Sequence, residues 1–260
     1  MAPPTPRVFI IRHGETEWSL NGRHTGITEL PLTANGEKRI RATGRALVGD
    51  DRLIVPSKLA HIYVSPRLRA RRTLELLNLG HAQPLPWKPD SAPSGTDSSA
   101  PPRCPAKIQV TEDIREWDYG DYEGLTSKTI HAQRMEEGIT QKWDIWRDGC
   151  PGGESPADVS ERLDRLITEI REQYHAPVLE GKATEGDVLL VAHGHILRAF
   201  AMRWIGARLV DGPTFLLEAG GVGTLSYEHR SIDEPAILLG GAFMVDVVQH
   251  ASEDSKSKAD

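Results

Sequence analysis

Cysteine is nearly absent: the 260 residues hold two, Cys104 and Cys150. They make no Cys-x-x-Cys pair and no disulfide framework, which excludes a small stapled scaffold and fits a reducing compartment. Long apolar runs are missing as well, and none approaches the roughly 20 residues of a membrane span. The apolar stretch "VFII" at 8–11 is too short for the core of a secretory leader. No Asn-x-Ser/Thr sequon occurs. Positive charge is in deficit, 31 Lys and Arg against 37 Asp and Glu, for a formal net charge of -6. Nothing therefore points to nucleic-acid or membrane-surface partners, and an anionic ligand would need a local basic pocket. The phosphate-binding pattern Gly-x-x-x-x-Gly-Lys-Ser/Thr is lacking, and "AGGVG" (219–223) is no dinucleotide fingerprint. The expectation is a cytoplasmic protein, with the nucleus also open to it; self-association stays open.

What is present alternates in type. "VFIIR" (8–12), "HIYVS" (61–65), "KIQV" (107–110) and "DVLLVA" (187–192) read as strands. A helix is predicted from Thr33 to about Val48, with Ile40, Gly44, Leu47 and Val48 on one face. "PRLRARRTLELLNL" reads as another, with Pro66 in its first turn. Ser155 caps a third, with Pro156 first and Asp158 three residues beyond the cap. Val159, Leu163, Leu166, Ile167, Ile170 and Tyr174 make its core face. "ILRAFAMRWIG" is a fourth helix, closed by Gly206. Segments 222–229 and 236–243 read as a closing pair of strands. Residues 80–106 are Pro/Ser-rich and predict a surface insertion that buries no core. Residues 111–154 read as loops and short helices covering a site, with Trp143 and Trp146 as packing residues. The class is α/β, a mostly parallel sheet covered on both faces. One domain is expected over 1–250, with a polar tail at 251–260.

Three polar clusters follow the strands, where open α/β sheets bind ligands. Arg12-His13-Gly14 ends the first, Ser65-Pro66 with Arg69 the second, and His193-Gly194-His195 the later one. Taken singly, each reads more plainly as a surface turn, a structural histidine or a solvated helix face. Together they suit a phosphoryl group: guanidinium binds its equatorial oxygens, and neutral imidazole can attack phosphorus. Neighbouring arginines disfavour imidazolium, keeping the nucleophile neutral. The leaving oxygen needs a proton donor, and Glu116 and Asp118 in "REWDYGDYEG" are the candidates.

"RHGETEW", "SPRLRARRT", "EWDYGDYEG" and "VAHGH", in this order and spacing, resemble the histidine phosphatase family. The likeness spans nearly the whole chain apart from 80–106 and both ends. It implies the phosphoglycerate mutase-like fold, a three-layer α/β/α sandwich. It implies His13 as the phosphorylated nucleophile, Glu116 as proton donor, and Arg12, Arg69 and His193 as further members of the phosphate pocket. Gly14 would let backbone approach the ligand. "WDIWRDGCPGGES", "AHGHILRAF" and the block from Phe215 to Leu239 resemble the sedoheptulose-1,7-bisphosphatase branch. That branch implies a phosphorylated sugar substrate, fructose 1,6-bisphosphate included, and no metal or other cofactor. It implies sugar contacts at His24, Thr25, Trp117, Asp118, Tyr119, Gly194 and Arg198. Trp117 and Ser19 stand where mutases of the family typically carry Arg and Asn, which counts against mutase activity.

Three other readings compete. A phosphoglycerate mutase or a broad phosphomonoesterase would share the His13 chemistry. A metal-dependent hydrolase would use His193 and His195, with oxygens from Glu116 and Asp118. A catalytically silent binding module is weakened because no expected catalytic position is missing. Arg198, with "IWRDGC" and the C-terminal block, is the expected holder of a second, uncleaved phosphate, an exposed helix residue being its plainer reading; Lys128 and Arg147 are further candidates, with a solvated role as the plainer alternative.

Overall fold

Alternate residues of strand β1 (Val8–Arg12) feed two different cores. In the computed structural model, which describes residues 4–90, 104–211 and 215–239, Val8 and Ile10 pack to one side and Phe9 and Ile11 to the other. The period-two alternation of a strand, with apolar residues at every position, forces burial on both faces. Strand β4 (Asp187–Ala192) does the same: Val188, Leu190 and Ala192 join the first core, Leu189 and Val191 the second.

Strands β2 (Leu59–Val64), β3 (Lys107–Val110), β5 (Val222–Tyr227) and β6 (Pro235–Leu238) complete a six-stranded sheet in the order β3-β2-β4-β1-β5-β6. Pairings β3–β2, β2–β4 and β4–β1 are parallel, whereas β1–β5 and β5–β6 are antiparallel. Only β5 therefore runs against the other five. The short helix α1 (Glu17–Asn21) follows β1, and α2 (Ala34–Leu47) and α3 (Leu68–Leu76) contribute Ile40, Ala70, Leu74 and Leu76 to the second core. On the opposite face, after α4 (Ser127–Glu136) and α5 (Ile145–Asp148), lie α6 (Pro156–Ile170) and α8 (Gly194–Trp204). One turn of π-helix, Arg171–His175, and α7 (Ala176–Leu179) extend α6. The result is the expected three-layer arrangement. Among the described residues, no helix is long and apolar enough to cross a membrane.

Several boundaries follow their local chemistry. Thr33 caps α2 by accepting from the Gly36 N–H, and Ser155 with Asp158 forms a reciprocal capping box on α6. Pro66 does not enter α3 as expected. Ser65 is still bonded to the sheet, its N–H donating to Val191 O at 3.0 Å, and Arg67 is still extended, so the helix starts at Leu68. The expectation for 80–106 also needs correction. Its two ends belong to the core: Leu85, Cys104 and Ala106 are buried, and Gly80 and Ala82 bond to Cys104 through the backbone. The Trp87 indole N–H donates to Glu75 of α3 at 2.8 Å, and Lys88 pairs with the same carboxylate. The rest of the insertion (91–103), the end of the last expected strand (240–243) and the tail lie outside the described residues.

Candidate active site

Three neighbouring parallel strands, β2, β4 and β1, end side by side, and each hands a polar residue to the same spot. Register pairs Arg12 with Ala192 and Val64 with Val191, so Ser65, His193 and His13 are the next residues in adjacent strands. The His13 N–H donates to Ala192 O at 2.9 Å, and the His13 and His193 rings meet edge-on at 5.1 Å.

The two imidazoles are held in different tautomers. His13 Nδ1 lies 2.7 Å from Gly14 O. A carbonyl only accepts, so Nδ1 carries the hydrogen and Nε2 keeps its lone pair. Burial, then the charges of Arg69 and Arg12, hold the His13 pKa well below the usual imidazole range. His193 Nδ1 accepts from Arg69 Nε at 3.1 Å, because guanidinium can only donate, which leaves Nε2–H for Ser65 Oγ at 2.6 Å. Burial and the adjacent cations keep His193 neutral too. Both His193 nitrogens are thus spent on protein partners, and sharing a cation with His195 through either one would break at least one of these bonds.

Arg69 is wholly buried behind His13. Its Nη atoms donate to the carbonyls of Thr25, Gly26 and Thr28. That loop is held from its other side by Glu123, whose carboxylate accepts from the Gly26 and Thr28 N–H groups at 2.8 and 2.9 Å. Arg12 donates from Nη1 to Leu217 O at 2.8 Å, while its buried Nε has no partner among the described residues. A Cβ on Gly194 would sit 3.2 Å from the Arg12 guanidinium carbon, so this glycine lets the arginine lie against the start of α8. Gly14 has another use than the expected one. Its missing Cβ admits Ile40 and the Gly36 carbonyl of α2, at 2.9 and 3.2 Å from where that atom would be, so the close approach is helix to strand rather than backbone to ligand.

Glu116 is buried and caps α8. It accepts from the N–H groups of Trp117 and Ile196 on Oε1 and of His195 on Oε2, all within 3.1 Å. These main-chain donors fix the carboxyl at the pocket wall.

The pocket itself has a volume of about 180 Å³ and is lined by Arg12, His13, Glu116, Gly194 and Arg198 together with the loop that follows β1. Three arginines, Arg12, Arg23 and Arg198, face it against a single carboxylate. His24, Thr25 and Tyr119 line it as well. Tyr119 and His195 Nδ1 share a hydrogen bond of 2.7 Å, and the His24 ring lies 4.8 Å from Tyr119. Burial lowers the His24 pKa to about 4, with Glu123 opposing. Arg198 donates to Gly194 O, and its guanidinium lies over Trp146 at 5.2 Å.

Two expected sugar contacts are not on this wall. Trp117 is fully buried, its indole N–H donating to Glu154 O, and Asp118 turns Oδ1 to the Gly120 N–H. The chain turns here, with the Asp118 carboxylate accepting from the Gly120 N–H, so the four residues of "EWDY" do not share a face. Lys128 and Arg147 do not line the pocket, and Arg147 pairs with Asp148. Sequence reasoning left Thr16, Trp18, Gly22 and Arg23 out of the site, all of which line it, as does His195, expected at the strand end but given no part in the phosphate chemistry. Their one sequence signal is proximity to Arg12-His13-Gly14 or His193. A larger depression of about 420 Å³ elsewhere carries Asp121, Glu136 and Glu137 and offers no cation to an anionic substrate.

Along most of its length the chain that builds this site is matched by known proteins. The profile of the histidine phosphatase superfamily (branch 1) matches residues 8–92 and 99–234. The chain belongs to that superfamily and is a phosphoric monoester hydrolase. Sedoheptulose 1,7-bisphosphatase of Saccharomyces cerevisiae is 38% identical to it, over 92% of this chain and 94% of that one. An acid phosphatase of Mycobacterium tuberculosis is 34% identical over 86% and 87%. A solved M. tuberculosis open-reading-frame product superposes with a TM-score of 0.66 at 30% identity, covering 92% of this chain and 98% of that one.

Proposed function

We propose that this enzyme hydrolyses the C1 phosphate of a ketose bisphosphate, sedoheptulose 1,7-bisphosphate and also fructose 1,6-bisphosphate, through a phosphohistidine on His13. The observation that carries the chemistry is the His13 ring, with Nδ1–H committed to Gly14 O and the Nε2 lone pair left over. Nε2 attacks phosphorus as the phosphorus–oxygen bond to C1 breaks, and the leaving oxygen takes a proton from the Glu116 carboxylic acid. Water then attacks the phosphohistidine, giving its proton to the Glu116 carboxylate. The phosphorus–nitrogen bond breaks, and inorganic phosphate leaves. Arg12, with Arg69 behind it, offsets the charge spread over the transferring group. The sugar assignment is supported by likeness to the yeast bisphosphatase and by the surplus of guanidinium in the pocket.

Phosphate release from a panel of ketose bisphosphates, sugar monophosphates and 3-phosphoglycerate tests the reading, alongside trapping of labelled protein. The His13→Ala variant is expected to fold and to lose at least about 10³-fold in kcat. The wild type should yield an acid-labile, base-stable phosphoprotein. Near-normal turnover by folded His13→Ala protein would overturn the mechanism, and isomerisation without phosphate release would mark a mutase instead.

A further inference from the structure

Arg23 is the exposed member of the three pocket arginines, and the structure holds its backbone while leaving its side chain open to solvent. Its N–H donates to Trp18 O at 3.1 Å, and it bridges Thr126 across the loop. The next residue, His24, donates to Leu125 O and accepts from the Gly124 N–H. Gly22, at φ 76, closes α1 and turns the chain into this position. The guanidinium, by contrast, has no hydrogen bond or carboxylate partner among the described residues. It rests over the Trp18 ring at 5.8 Å. Trp18 in turn is seated on Gly124, where a Cβ would come within 3.0 Å of the indole. The sequence Gly124–Trp18–Arg23 is a supported shelf that carries one unpaired cation to the pocket mouth.

The other two arginines are committed deeper in. Arg12 lies beside His13 with Nη1 on Leu217 O, and Arg198 spans from Gly194 O to Trp146. We propose that Arg23 takes the second anionic group of the substrate, a phosphate carried at the far end of the sugar from the one transferred to His13. It would thereby set the preference for bisphosphates over monophosphates. This rests on the function proposed above and adds the residue that reads the distal end. Binding energy at a remote phosphate helps orient the reacting end, so the contact should tell in kcat/KM.

The test compares fructose 1,6-bisphosphate with fructose 1-phosphate, which share the sugar and the scissile phosphate and differ in the distal one. Wild type, Arg23→Gln and Arg23→Lys are assayed for phosphate release. The ratio of kcat/KM values, bisphosphate over monophosphate, is expected to fall by at least about tenfold in Arg23→Gln, the loss of one charge-assisted hydrogen bond. Arg23→Lys should retain part of it. The wild-type ratio should also shrink in 1 M salt, where the screening length is about 3 Å. A wild type that prefers the bisphosphate, with the same ratio in Arg23→Gln, overturns the role of Arg23 and leaves the proposed function standing. A wild type without any such preference overturns both the bisphosphate reading and this one.

Discussion

Glu116 owes its position to main-chain donors rather than to a neighbouring cation, and this shapes what its replacement will do. Gln keeps an oxygen for the Trp117 and Ile196 N–H groups but sets an amide against the His195 N–H. It also has no proton to give. Glu116→Gln is expected to slow alkyl phosphate hydrolysis by about 10² to 10⁴-fold. Aryl phosphates, whose leaving groups need no proton, should suffer far less. Equal losses on both substrates, measured as kcat, would assign Glu116 to holding α8 rather than to proton transfer. At this scale the sequence was readable wherever a reactive residue follows an apolar run: Arg12 ends β1, and His13 and His193 sit one step past β1 and β4. Trp18 and Arg23 were not, since a residue's facing into a pocket depends on loop geometry that no periodicity encodes. Trp117 misled for the same reason, being an aromatic in a polar segment that folds inward.

The segment that carries Glu116 is itself braced by a buried ion pair at the start of α6, far from it in sequence. Glu154, just before α6, accepts from Arg162 Nε and Nη2 at 2.9 Å each, from Arg115 at 2.6 Å and from the Asp118 N–H at 2.9 Å. Arg162 also donates to the carbonyls of Asp113 and Arg115. The arrangement clamps 113–118 onto α6. Glu154→Ala strands the Arg162 charge in the interior, and breaking a buried pair in this way costs about 3–5 kcal/mol. Chemical denaturation should show that loss, with turnover falling as Glu116 loses its anchorage. A change below about 1 kcal/mol would mean the pair is no better than a surface bridge. The helices themselves were legible, because Thr33 and Ser155 announce their starts chemically. The start of α3 was not, because a proline marks where a helix can begin and not where the sheet lets go. The ends of the 80–106 insertion were hidden by its average composition, which masked Leu85 and Cys104.

Across the whole molecule, burial of histidine predicts acid sensitivity. Burial lowers the pKa of His81 to about 4, and that of His175 to about 3 with help from Arg171. In the unfolded chain imidazole titrates near 6.5. The folded values are the lower ones, so the unfolded state binds more protons between them. The stability contributed is full above about pH 6.5 and is lost as pH falls toward the folded values. Urea midpoints should therefore decline steadily from pH 6.5 to 4. His81→Leu should flatten that slope, since neither ring nitrogen has a partner among the described residues. An unaltered slope in the variant would remove His81 from the account. The sheet class and the site's location at strand ends were legible at this scale because alternation of strand and helix fixes layers. The strand order was not, since it depends on which edges meet across long stretches of chain.

That order has a consequence for how the protein is made. Strand β1 lies between β4 and β5, so its sheet neighbours belong to the C-terminal part of the chain. The Arg7–Asp187 bridge at the foot of β1 and β4 joins residues 180 apart. On a ribosome adding about 5–20 residues per second, β1 waits on the order of ten to forty seconds for its first hydrogen-bonded neighbour. Throughout that interval "VFII" has no sheet to enter and is free to be held by a chaperone or to stick to other chains. His13, positioned only when β1 and β4 align, takes its working place only after β4 has been made.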